Sequence, residues 1–215
     1  MLRRILFSLL MLLSFPFILL LAKPDIKHKL NDYFTTFLPS HTDKVLTYET
    51  DIKNELTKYN LSEFTPLLLA IMYQESKGEG LDPMQSSESA GLKRNAIQNP
   101  QQSISQGVFH FQQMYKLGRK HHVDLNTIVQ SYNMGPGYII YIADNGTQHT
   151  QELAKAYSKM QVDNRPDLYT CGGSMANFRY PYCFGDFSYA DKVQKHMTVL
   201  EKQLRSKESR TASVK

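Results

Sequence analysis

The sequence predicts a mainly α-helical domain, and three observations carry that expectation. Two segments open with a helix-start signature, Thr65-Pro66 and Asn99-Pro100, a capping residue followed by Pro at the first helical position. Ile104, Val108, Phe111, Tyr115 and Gly118 recur at spacings of three and four, which puts them on one helical stripe facing a core. Little of the chain alternates with the period of two that a half-buried strand shows, and no internal repeat is evident.

The elements follow in order. Met1-Leu2-Arg3-Arg4 precedes 18 residues without a charge, Ile5 to Ala22, interrupted only by Ser8, Ser14 and Pro16. Two arginines before a run of this length hold the N-terminus in the cytoplasm and send the rest outward, so residues 1–22 read as a signal anchor or a signal peptide. Leu20 and Ala22 make a poor small-x-small cleavage site, which favours the anchor. Residues 23–42, with Pro24, Pro39 and the aromatic pair Tyr33-Phe34, read as a stalk. The main folded domain is expected over 43–205. Its first helix is expected from Asp43 to Lys58 and its second from a Thr65 cap through an almost wholly apolar Leu67–Met72. Gly78 and Gly80 are expected to end that helix and open a long polar segment, 77–99, of a length that usually carries function. A third helix starts at Asn99. A short helix after Asn126 is broken by Gly135-Pro136-Gly137, and Tyr138 to Ala143 begins another. Thr150 caps the next. Residues 163–187 read as irregular. The last helix starts at Ser188, with Asp191 as an acidic variant of the capping box, and fades near Arg205. Residues 206–215 read as a basic disordered tail.

Composition narrows the function. Net charge is +5, but residues 201–215 hold five Lys/Arg against two Glu, and the leader arginines supply the rest of the excess. The domain itself is near neutral, which argues against a nucleic-acid binder and suits a basic tail that meets an anionic surface. There is no Trp, but 13 Tyr and 11 Phe can supply stacking faces. His-Glu-x-x-His and Cys-x-x-Cys motifs are missing, His121-His122 would diverge on a helix, and no Gly-rich loop follows a strand; neither a metal nor a nucleotide cofactor is expected. In an exported chain the pair Cys171 and Cys183 favours a disulfide over two free thiols, and closing so short a loop contributes roughly 2–3 kcal/mol.

The chemistry concentrates at Ile71-Met72-Tyr73-Gln74-Glu75-Ser76. An apolar helix ends there on a carboxylate, and burial raises a carboxyl group's pKa, as a general acid requires. Asp82 follows seven positions later, about 10 Å away were the helix continuous; the glycines leave the real separation to the loop. Asp82 ahead of Pro83 can equally be a turn former. Gln85, Ser86, Ser87, Glu88 and Ser89 can bond sugar hydroxyls or form a solvated loop. Tyr132-Asn133 can stack on a sugar and bond its N-acetyl group, or can be a core Tyr with a C-cap Asn.

Four ordered blocks carry a family resemblance: Gln74-Glu75-Ser76; Asp82-Pro83-Met84-Gln85-Ser86-Ser87-Glu88-Ser89; Asn99-Pro100 with Ser103-Ile104-x-Gln106-Gly107-Val108; and Ser131-Tyr132-Asn133-x-Gly135-x-Gly137-Tyr138-Ile139. Over roughly residues 45–200 the chain resembles the bacterial lysozyme-like family of vaccine-antigen-A-like proteins and the muramidase domains of cell-wall hydrolases carried by conjugative elements. Soluble lytic transglycosylases and goose-type lysozymes are related. The resemblance implies a lysozyme-like, two-lobed helical domain whose cleft takes peptidoglycan glycan strands. It implies that Glu75 is the general acid at the β-1,4 bond between N-acetylmuramic acid and N-acetylglucosamine, and that Asp82 is a second catalytic carboxylate. Ser76, Met84, Gln85, Ser86, Ser87, Glu88, Tyr132, Asn133 and Tyr138 would bind substrate. The chain lacks the cysteine-peptidase domain appended in the conjugative hydrolases, so a second activity is not expected. The implied setting is outside the cytoplasm, on the membrane through residues 5–22 or in the wall. A secretion or conjugation apparatus is a further expected partner. Three rivals stand beside the muramidase: a lytic transglycosylase that leaves a 1,6-anhydro end, a silent peptidoglycan-binding scaffold, and a cysteine peptidase using Cys183 and His196.

Overall fold

The computed structural model describes residues 41–213, so the leader and nearly all of the expected stalk lie outside the described residues. Chain contacts divide the molecule into Met1–Asp43 and Lys44–Lys215; the architecture below is that of the second unit. Its described residues form helices and turns without a strand. The helices are α1 (His41–Leu46, entering from the first unit), α2 (Glu49–Thr57), α3 (Thr65–Ser76), α4 (Pro100–Lys120), α5 (Leu125–Met134), α6 (Pro136–Ala143), α7 (Gln151–Asn164) and α8 (Tyr189–Ser213).

Helix α3 runs through the core. Leu67, Leu68, Leu69, Ala70, Ile71 and Met72 are all buried, because the helix packs against α2 and α8. Each large aliphatic side chain buried in this way contributes about 1.5–3 kcal/mol. On α8 the buried residues Tyr189, Val193 and Leu200, with Met197 and Leu204 partly covered, recur at helical spacing. The stripe expected on α4 is present: Ile104, Val108, Phe111 and Gly118 are buried, with Tyr115 packed against them. Helix α4 meets α2, α5 and α6.

The termini show where local sequence rules hold and where tertiary contacts override them. Asn99 caps α4 by accepting from the N–H groups of Gln101 and Gln102, and Thr150 caps α7 by accepting from Leu153 N–H, both as expected. The expected helix over 43–58 is two helices, because Thr47 ends the first by bonding back to the Lys44 carbonyl with both its N–H and its hydroxyl. Thr65 lies inside α3, not at its cap: a one-turn 3-10 helix, Ser62–Phe64, feeds it, and the Thr65 hydroxyl donates to the Ser62 carbonyl. Lys77, not a glycine, takes the left-handed position that closes α3. Helix α5 is capped by Asp124 ahead of the expected start. The capping box at Ser188 does not form. Ser188 donates its hydroxyl and N–H to Asp186, while Asp191 reaches α7 and accepts from Gln151. Residues 206–213, expected to be disordered, continue α8.

Candidate active site

Glu75 sits in the last turn of α3, where the apolar helix meets the polar 77–99 segment. It is one wall of a cleft of about 500 Å³. Tyr189, the first residue of α8 and itself 2% exposed, donates its hydroxyl to Glu75 Oε1 at 2.6 Å. Burial pushes the Glu75 carboxyl up to about 7, and the negative charges of Asp82 and Asp186 act in the same direction. The Tyr189 hydrogen bond and the positive charge of Arg94 only partly offset that rise. The Tyr189 hydroxyl is itself held well above its usual range, first by burial and then by the Glu75 charge, so it remains a donor throughout the neutral range. The result is a carboxyl group that exchanges a proton near neutrality at a cleft wall, the property a general acid needs.

Asp82 is placed differently from its expected role. It is 3% exposed, does not line the cleft, and has both oxygens occupied. Oδ1 accepts from the Ser103 hydroxyl at 2.6 Å, the Ser86 N–H at 3.0 Å and the Ser86 hydroxyl at 3.3 Å. Oδ2 accepts from the Ser87 hydroxyl at 2.5 Å and the Ser87 N–H at 3.2 Å. Burial alone would raise this carboxyl, but the hydrogen bonds from Ser103, Ser87 and Ser86 outweigh it and hold the group below the usual carboxylate range. Asp82 is thus an ionised pin that fastens the 82–87 loop to α4.

The remaining expected residues divide. Gln85, Ser86, Glu88, Tyr132 and Asn133 line the cleft with Glu75. Ser76, Met84, Ser87 and Tyr138 do not. Ser76 ties the end of α3 to the loop, donating to the Pro83 carbonyl and accepting from the N–H groups of Gly78 and Glu79. Met84 is a core residue wedged against α4, where Gly107 leaves room for it: a Cβ there would lie 2.7 Å from the Met84 Cβ and 2.9 Å from the Tyr132 hydroxyl. Ser87 is buried beneath the loop and accepts from Ile97 N–H. Tyr138 is fully buried and pairs with His149, far from the role of sugar contact.

Part of the lining is one that sequence reasoning missed. Asp186, Gly185, Cys183 and Arg179 come from the irregular segment before α8, Arg94 and His110 join them, and Gly135 and the sequence candidate Ser89 complete the lining. Helix α5 holds this wall. Asn133 Oδ1 accepts from Asp186 N–H at 2.6 Å, and buried Gln130 donates to the Asp186 carbonyl and accepts from Ala190 N–H. Gly185 approaches so closely that a Cβ would sit 2.7 Å from Met134 Cγ, and its φ is +59°. Burial would raise the Asp186 carboxyl, but Lys192, at 2.5 Å, and Ser188 hold it below the usual range, so it stays charged. Burial lowers His110, which leaves it neutral beside the Tyr132 carbonyl. Among the described residues no group of three or more His, Cys, Asp or Glu could hold a metal ion. Cys171 and Cys183 are joined in a disulfide, so the cysteine-peptidase reading has no free thiol.

Helices of this kind around a carboxyl-bearing cleft fit a known class. Residues 42–197 match the Lysozyme-like family model, and the chain belongs to that family. It is 53% identical over 192 residues to the "uncharacterized membrane protein YocA" of Bacillus subtilis, an alignment spanning 89% of this chain and 84% of that one. It is 34% identical over 140 residues to the bifunctional muramidase/DL-endopeptidase CwlT of the same organism, spanning 65% of this chain and 37% of that one. A crystal structure described as similar to lipoprotein, NLP/P60 family, from Staphylococcus aureus shares the fold with a TM-score of 0.61 and 30% identity. That likeness covers 72% of this chain and 52% of the other.

Proposed function

We propose that the protein is a peptidoglycan glycosidase that cleaves the β-1,4 bond between N-acetylmuramic acid and N-acetylglucosamine. The observation that carries this reading is Glu75: a carboxyl group at the wall of a sugar-sized cleft, pushed up to about 7 by burial and held by Tyr189. Membership of the lysozyme-like family and the likeness to a muramidase support it. The Glu75 carboxyl donates its proton to the bridging oxygen as the C–O bond breaks, which leaves positive charge on the ring. Asp186, a charged carboxylate of the same cleft lining, stabilises the cation electrostatically. Glu75, now ionised, then takes a proton from the incoming nucleophile.

Two nucleophiles are open to this geometry. Water gives a reducing end and makes the enzyme a muramidase. The sugar's own C6 hydroxyl gives a 1,6-anhydro end and makes it a lytic transglycosylase. One observation favours the second: Asp82, the second catalytic carboxylate that the resemblance implies, does not line the cleft and has both oxygens hydrogen-bonded within the protein, which leaves none to place a water. We assign Asp82 the role of positioning the 82–87 loop and placing a fixed negative charge near Glu75. Product masses from purified peptidoglycan decide the matter. Fragments heavier by one water than the anhydro form establish hydrolysis, and anhydro fragments establish transglycosylation. A folded protein that pellets with walls but releases neither is a binding scaffold.

The same reading sets the domain to work outside the cytoplasmic membrane, tethered through residues 5–22, with the basic end of α8 meeting anionic wall or membrane. Among the described residues no helix is long and apolar enough to cross a membrane. Fractionation of cells expressing the full chain and a chain starting at Lys23 tests the tether: membrane association lost only in the shorter chain supports it, and a full chain found in the cytosol refutes it.

A further inference from the structure

The 171–183 loop is the part of the cleft that no motif explained. It is built with care: a disulfide closes its ends, with Cα atoms 4.9 Å apart. Asn177 braces it from within, donating to the Cys171 carbonyl at 3.0 Å and accepting from Arg179 N–H at 3.0 Å. The Arg179 carbonyl accepts from Tyr182 N–H at 2.6 Å. The backbone of Arg179 is thereby fixed, and the residue lines the cleft beside Cys183. Its Nη2 atom is buried without a hydrogen-bond partner. A guanidinium carries five donors in a rigid fork suited to carboxylate, and Arg179 lines the cleft without an ion pair among the described residues, so its charge there is uncompensated.

The protein's own anions in the cleft do not complete it. Asp186 is engaged by Lys192 and Ser188, Glu75 by Tyr189, and Glu88, the third carboxylate of the lining, makes no ion pair with Arg179. We propose that the disulfide-closed loop is a substrate-recognition element that sets Arg179 to bind a carboxylate carried by the glycan substrate. This rests on the peptidoglycan reading above. Muramic acid differs from N-acetylglucosamine by a lactyl group whose carboxyl is either free or linked to a short peptide with carboxylates of its own. Arg179 would therefore distinguish a muramic-acid-bearing strand from a neutral N-acetylglucosamine polymer. The loop would supply binding specificity while Glu75 supplies the chemistry.

The test is binding by the full chain in a Glu75→Gln background, so that the polymer is not consumed. Co-sedimentation is measured with insoluble peptidoglycan and with the same material after its carboxyls are converted to methylamides by carbodiimide coupling. Adding Arg179→Gln is expected to weaken binding to the untreated polymer roughly tenfold or more, as loss of a charge-assisted pair does, and to leave binding to the amidated polymer unchanged. Arg179→Lys is expected to restore part of the loss. Soluble glycan strands freed of peptide identify the carboxylate: Arg179 dependence that persists there assigns the lactyl group, and dependence seen only with peptide present assigns the stem. Equal binding with and without Arg179, or the same loss on both polymers, overturns the proposal. Failure of the parent to release fragments while this binding pattern holds would refute the glycosidase reading and leave the carboxylate site standing.

Discussion

Glu75 is hydrogen-bonded to Tyr189, and under the proposed function the pair makes a directional prediction. The phenol's hydrogen bond favours the ionised carboxylate, so its removal raises the Glu75 pKa further above about 7. A general acid must be protonated, so activity falls as pH rises through that value. Tyr189→Phe is expected to shift this alkaline limb to higher pH, read from a pH–rate profile on purified peptidoglycan. A profile lower in height but unmoved in pH would make Tyr189 merely structural. Asp82→Asn is predicted to act through the loop. The amide turns one acceptor oxygen into a donor facing N–H and hydroxyl donors from Ser86, Ser87 or Ser103. Leaving a buried donor unsatisfied costs about 1–3 kcal/mol. The variant should lose stability in denaturant melts together with activity, whereas loss of activity at unchanged stability would return Asp82 to the chemistry. Glu75 was legible in the sequence because an apolar helix ending on a carboxylate is a local pattern. The fate of Asp82 was not, since Ser103 reaches it from α4, 21 positions on, and nothing in Asp82-Pro83 announces that contact.

At the scale of elements, α4, α5 and the 82–87 loop meet around Met84 and Tyr132, and Gly107 is the residue that lets them close. Gly107→Ala puts a Cβ against Met84 and the Tyr132 hydroxyl, and overpacking of this kind typically costs about 1–3 kcal/mol. A lowered denaturant midpoint with unchanged slope is the expected result; a midpoint equal to the parent's would mean the loop gives way freely. Helices were readable where one residue decides the terminus, as at Asn99 and Thr150. They were misread where a neighbour competes, as when Asp186 takes the Ser188 hydroxyl and Asp191 turns to Gln151. Tyr138 shows the same limit. A tyrosine after Gly-Pro-Gly resembles a subsite residue in its motif, and only the packing of α6 reveals that it is core. The wall from Arg179 to Asp186 had no periodicity to read, and the bond joining Glu75 to Tyr189 spans 114 positions.

For the molecule as a whole, the site opposes the fold in a pH-dependent way. Glu75 binds its proton more tightly in the folded state, near 7, than in an unfolded chain, near 4.5. Its contribution to stability is therefore fully present below about pH 4.5 and is lost as pH rises through about 7. Glu75→Gln has no such group to ionise and should be the more stable protein at pH 8, by on the order of 2–3 kcal/mol, with the advantage gone below the lower value. Chemical denaturation of both proteins across this range checks it; parallel curves at all pH values would mean that Glu75 is not held as described. Asp82 works in the opposite sense, because its hydrogen-bonded carboxylate stabilises the fold above the ordinary carboxylate range and loses that effect on acidification.

The most direct measurement is the release of glycan fragments from purified peptidoglycan by the parent and by Glu75→Gln, separated and weighed by mass spectrometry. The amide keeps the shape and the Tyr189 hydrogen bond but has no proton to give, and loss of general acid catalysis lowers the rate on the order of 10²–10⁴-fold. The parent is predicted to release fragments ending at muramic acid and the folded variant to release almost none. Fragments from Glu75→Gln at a rate near the parent's would contradict the assignment of Glu75 as the acid.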